Sequence, residues 1–74
     1  METGNWEVIA QFNDWEEDEQ GNKTVEITIM FENYFRDYYD MKNYVSDCRV
    51  NGCIGGQVYR QLRDGRWEYY MEII

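Results

Sequence analysis

From Trp6 to Phe12 the chain alternates, with Trp6, Val8, Ala10 and Phe12 on one face, the period-two pattern of a half-buried strand. A polar run follows from Asn13 to Asn22 and closes on Gln20-Gly21-Asn22, which reads as a loop ending in a turn. Alternation resumes from Lys23 to Phe31, with Val25, Ile27, Ile29 and Phe31 on one face, and the β-branched content favours a second strand. A hairpin with a long acidic connection is the expected arrangement of these two.

Near Asn33 the period changes. Tyr34, Tyr38, Met41, Val45 and Cys48 fall on one stripe of a helix. Asn33 suits the N-cap, and Asp37 is the competing start if the strand continues through Phe35. Asn51-Gly52 ends the helix in a conformation that tolerates positive φ. Two further alternating runs, Gln57 to Leu62 and Trp67 to Ile73, flank Arg63-Asp64-Gly65-Arg66. Asp-Gly between such runs is a two-residue hairpin signature. With Asp64 and Gly65 as the turn, Leu62 opposes Trp67, Arg60 opposes Tyr69 and Val58 opposes Met71. On the other face Gln61 pairs with Glu68, Tyr59 with Tyr70, and Gln57 with Glu72.

The expected fold class is α+β: a ββαββ chain forming one domain over residues 1–74, a four-stranded and mainly antiparallel sheet with one helix packed on one face. Strand order is left open by the pattern. The expected core joins the helix stripe to Trp6, Phe12, Ile27, Ile29, Phe31, Val58, Leu62, Trp67 and Met71. At 74 residues a domain buries only roughly 60% of its unfolded surface, so the 18% of aromatic residues carries much of the stability.

Charge alters the functional picture most. The net charge is −8, and nine acids against Lys23 alone place all of it within the first 34 residues. The remaining residues balance six acids with six bases. Direct nucleic-acid binding is disfavoured, because phosphate affinity comes from clustered Lys and Arg. A basic partner surface is favoured instead. Nothing approaches the ~18 consecutive apolar residues of a membrane span. The segment from Met1 to Asn5 lacks the charged and apolar regions of a secretory signal, so a cytoplasmic protein is expected.

The run Asp14-Trp15-Glu16-Glu17-Asp18-Glu19 has two readings: a solvated, solubilising loop, or a docking surface where carboxylates stand in for phosphates. Trp15 inside it favours the second, since Trp is a frequent interface anchor. An EF-hand calcium loop is disfavoured, because Trp15 and Glu17 stand at positions that need Asp or Asn. Cys48 and Cys53 lack the further Cys or His of a zinc site, and two buried thiols are the expectation. With no His and little room for an enclosed pocket, catalysis is not expected. No cofactor or metal is expected either. Tyr59 and Tyr70, placed away from the helix, form a candidate protein-binding or self-association face, and Ile73-Ile74 would end an apolar edge.

The acidic run, the scattered tyrosines and the missing catalytic constellation give the chain a character that resembles small acidic phage-encoded inhibitors: anti-CRISPR proteins and nucleic-acid mimics. That resemblance rests on no motif. It implies a non-enzymatic inhibitor whose carboxylates occupy a cationic groove of a nucleic-acid-handling protein. The partner-binding residues expected are Asp14, Trp15, Glu16, Glu17, Asp18, Glu19, Glu26, Tyr59 and Tyr70. The alternative is a homo-oligomeric accessory protein, such as a homodimer, associating through exposed Tyr or the C-terminal edge strand.

Overall fold

A computed structural model describes residues 5–74. Five elements follow one another: β1 (Trp6–Glu17), β2 (Lys23–Phe35), α1 (Tyr38–Val50), β3 (Gly55–Gln61) and β4 (Trp67–Glu72). The strands form one antiparallel sheet in the order β2-β1-β3-β4, so the α+β, ββαββ architecture is the one the pattern predicts. Strands β2 and β3 both run antiparallel to β1 and hence parallel to each other. A parallel relation needs a crossover of a dozen or more residues, which the thirteen-residue helix supplies.

Strand β2 continues through Phe35, so the helix begins at the competing cap, Asp37. Its backbone is extended (φ −103°, ψ 133°) and its carboxylate accepts from the Asp40 N–H, which satisfies an otherwise orphaned helical donor. The other end closes as a Schellman motif. Gly52, at φ 85°, donates to the Arg49 carbonyl, and Cys53 N–H donates to the Cys48 carbonyl. The two residues joined by that outer bond characteristically make an apolar contact. Here they are the two cysteines, both buried and both free thiols.

The helix buries Met41, Val45 and Cys48 against Trp6, Val8 and Ala10 of β1 and Val58 of β3, with Cys53 and Ile73 completing the core. This core is smaller than the pattern suggests. Tyr34 is 62% exposed, Phe31 47% and Trp67 40%, while Ile27, Ile29 and Leu62 are only half-buried. In their place Ile73 is fully buried, although the pattern read it as part of an exposed edge. Ala10 pairs with Gly56 across the strands, and these two small residues leave the space Ile73 fills. A Cβ built on Gly56 would stand 2.0 Å from the Ile9 carbonyl oxygen and 2.8 Å from Ile73 Cδ1.

The second hairpin also differs from expectation. Its loop has three residues, Arg63, Asp64 and Gly65, closed by Gly65 N–H to the Leu62 carbonyl and Leu62 N–H to the Arg66 carbonyl. Gly65, at φ 90°, takes the left-handed position of a bulged three-residue turn. The extra residue offsets the register, so Tyr59 opposes Tyr69, Arg60 opposes Glu68 and Gln61 opposes Trp67. A bulge between Val58 and Tyr59 absorbs the offset, and the expected pairs Val58–Met71 and Gln57–Glu72 are regained. Tyr70 is the residue left over.

Strand β3 pairs with β1 only from Trp6 to Gln11. Beyond that point β1 has β2 as its one neighbour, and the two continue as a free ribbon to the turn at residues 18–22. The molecule therefore measures 55 × 21 × 16 Å, with a radius of gyration of 15.4 Å, against roughly 11 Å for a compact chain of this length.

Gly56→Ala is expected to cost about 3 kcal/mol or more, because it meets backbone and carries positive φ at once. Gly21→Ala, at φ 82° in open space, is expected to cost about 1 kcal/mol. Thermal unfolding followed by circular dichroism measures both. Equal effects would mean that the Gly56–Ile73 contact does not set the packing.

Candidate functional site

The segment Asp14–Glu17, expected as loop, is strand. Alternation therefore distributes its side chains over two faces. Asp14 and Glu16 lie on the face shared with the helix, opposite Ile27 and Val25 across the ribbon. Trp15 lies on the reverse face opposite Glu26, and Glu17 is paired with Lys23 past a register shift. The placement explains how so acidic a segment holds a strand: the carboxylates of Asp14 and Glu16 face apolar residues across the ribbon rather than other acids. Lys23 stands over the Trp15 ring, 5.8 Å from its centroid, a cation–π contact.

Asp18 makes the turn. One carboxylate oxygen accepts from the N–H groups of Gln20 and Asn22, each at 2.9 Å, while the Asp18 N–H donates to the Asn22 carbonyl and the Asp18 carbonyl accepts from the Gly21 N–H. The Asn22 backbone bond, followed by weaker donors from Gln20 and Gly21, holds this carboxyl below the usual range. Asp18 is thus a turn-forming residue with its charge already engaged, while Glu19 stands exposed beside it.

Among the described residues, no Lys or Arg pairs with an arm carboxylate. Ion pairs join Arg60 to Glu68 at 2.7 Å and Arg66 to Asp64 at 2.6 Å, both inside the second hairpin. The arm, residues 12–29, is accordingly a projecting element whose carboxylates make no ion pair with any arginine among the described residues.

The expected Tyr59–Tyr70 pair does not form. Because of the bulge, Tyr70 packs against the core, its ring 4.8 Å from Trp6 and beneath the Arg60 guanidinium at 5.8 Å. Tyr59 instead meets Tyr69, with ring centroids 6.2 Å apart. On the sheet face away from the helix, Glu7 lies between Tyr34 and Tyr59 across the strands, and Tyr34 contacts Trp67 at 5.9 Å. The sequence pattern places Tyr34 and Trp67 in the core, and the structure exposes both. The signal available was the Asp37 cap, which places Tyr34 on a strand and turns it outward.

The Tyr34 hydroxyl donates to Glu32, and Glu7 approaches the same hydroxyl. Partial burial pushes the Glu7 carboxyl up, the Tyr34 bond draws Glu32 down, and the two carboxylates raise the phenol. All three are open to solvent or nearly so. Tyr34 also lines a surface hollow of about 270 Å³ with Arg36 and Trp67, and a hollow of about 400 Å³ lies beside Arg49, Cys53 and Ile74. Burial raises the Cys48 thiol, which lowers its reactivity. Among the described residues no group of three or more Cys, Asp or Glu is placed to hold a metal ion, and no helix is long and apolar enough to cross a membrane.

Comparison with known proteins finds no matching family model, curated relative or solved structure.

Asp18→Ala is expected to speed hydrogen exchange at the Gln20 and Asn22 amides and leave the core amides unchanged. The same tip should loosen with acid in the parent protein. A carboxyl held below its ordinary value of 3.8 stabilises the folded state above that value, and the contribution is lost as pH falls through the lower folded-state value. Amide chemical shifts at the tip, followed between neutral and acid pH, measure this. Tip and core amides responding together would mean that the turn has no separate equilibrium.

Proposed function

We propose that the chain is a non-enzymatic, cytoplasmic binding protein that docks its acidic arm on a basic surface of a larger nucleic-acid-handling protein. In this reading it acts as an inhibitor of the anti-CRISPR or nucleic-acid-mimic kind. One observation carries it: Asp14, Glu16, Glu17, Glu19 and Glu26 ride on a two-stranded projection with no ion pair among the described residues to cancel them. Charges held on a strand ribbon are spaced and oriented, as phosphates are along a nucleic-acid backbone, and a complementary field accelerates encounter. Trp15 and Lys23 would sit at the edge of such a contact, and Tyr59 lies on the body rather than the arm.

A second reading, self-association, is supported by the length of β2 as an open sheet edge. Light scattering separates the two, since a strict monomer removes it.

The arm reading is tested by affinity capture from a bacterial lysate at low and high salt, followed by competition with DNA or RNA. Replacing Asp14, Glu16, Glu17 and Glu19 by Asn or Gln is expected to slow association about 10–100-fold at low salt and to flatten the salt dependence. Capture that survives both high salt and these replacements would remove the proposal.

A further inference from the structure

The helix covers only the body of the sheet, so the same sheet face runs on uncovered along the arm. There Val25 (50% exposed), Ile27 and Ile29 form a stripe along β2 that continues to Phe31 at the margin of the body, with Phe12 beside it on β1 and packed edge-on to Phe31 at 5.6 Å. Asp14 and Glu16 bound that stripe on its inner side. A stripe of this kind would ordinarily mark a core, yet no element of the described chain lies over it.

The two outer strands are unlike each other. β4 has six residues, and a bulge interrupts its pairing; short and bulged edges resist pairing with other chains. β2 has thirteen residues, and its register with β1 is unbroken from Phe35 to Val25. In an antiparallel strand at an edge, every second residue leaves its N–H and C=O without a ladder partner.

We propose that β2 is a docking edge which accepts one additional strand from a partner protein, and that this strand alternates apolar with Lys or Arg side chains. The inference rests on the acidic-docking reading and deepens it by naming the partner element. An added strand alternates faces in step with β2. On the helix side its side chains meet Val25, Ile27, Ile29 and Phe31, and apolar residues belong there. On the reverse side they meet Glu26 and Glu32, spaced by Thr28 and Met30, and cations belong there. The same carboxylates argue against a second copy as occupant. Antiparallel pairing of two β2 strands would set Glu26 and Glu32 beside like charges, between chains that each carry −8.

The probes are synthetic nine-residue peptides of valine and lysine, one alternating and one of equal composition with the valines contiguous. Binding is read at low salt from tryptophan fluorescence and backbone amide shifts. The alternating peptide is expected to bind at least about tenfold more tightly and to move amides from Val25 to Phe31. N-methylating the alternate peptide amides that face β2 should abolish binding, while methylating the other set should leave it intact. Glu26→Lys, at an exposed arm position, should weaken the alternating peptide about tenfold. Equal binding by both peptides with a steep salt dependence would overturn the strand edge and leave the acidic-docking reading standing. No binding by either would overturn both. Two methylated peptides that behave alike would also end the proposal, as would a dimer by light scattering whose contacts cover Val25 to Phe31.

Discussion

The architecture depends on where β3 begins. The helix ends in its Schellman turn, Ile54 donates its N–H to the Gln11 carbonyl, and Gly55 enters the sheet opposite Gln11. That point fixes the limit of the four-stranded body. On one side of it β1 has two neighbours and a helix above. On the other side it has one neighbour and solvent on both faces. An isolated two-stranded ribbon is marginal in water, so the arm is held by its continuity with the body, by the Asp18 turn and by the Phe12–Phe31 contact.

The core is correspondingly compact. Trp6, Val8 and Ala10 alternate inward along the shared part of β1, and Met41, Val45 and Cys48 come down on them. Ile73 closes the far side, seated on Gly56 with its own N–H bonded to the Gly56 carbonyl and its carbonyl accepting from Arg49. The cysteine pair serves the same packing. Four residues between two thiols resemble a ligand spacing, but in this chain they are the distance across a helix-ending turn, and the sulfurs supply its apolar contact.

The element order was legible because each run has a clean period, and the helix boundary was legible as one of two capped starts. The extent of β1 was not. Asn13, Asp14, Glu16 and Glu17 have low strand preference, and the apolar partners that stabilise them, Val25 and Ile27, belong to the neighbouring strand. Reading each run alone therefore ended β1 at Phe12. The core was overestimated for a related reason: alternation identifies a face, and only the length of the helix decides how much of that face is covered. Of the candidate site residues, the arm carboxylates keep the exposed positions assigned to them, although on two faces. Asp18 is committed to its turn, and Tyr70 is turned inward by a bulge that no local pattern announces.

That bulge and the three-residue loop of the second hairpin are two halves of one compensation. The loop shifts β4 by one step, and the bulge returns it before Met71 must meet Val58. At the present chain length neither can change alone, since a two-residue loop closed by Arg63 and Arg66 with the bulge retained would carry Met71 and everything after it to the wrong side of the sheet. The hairpin therefore holds one residue of slack: a single deletion at the tip can be taken up by closing the bulge at Tyr70, at the far end of the strand, with Val58 still opposite Met71.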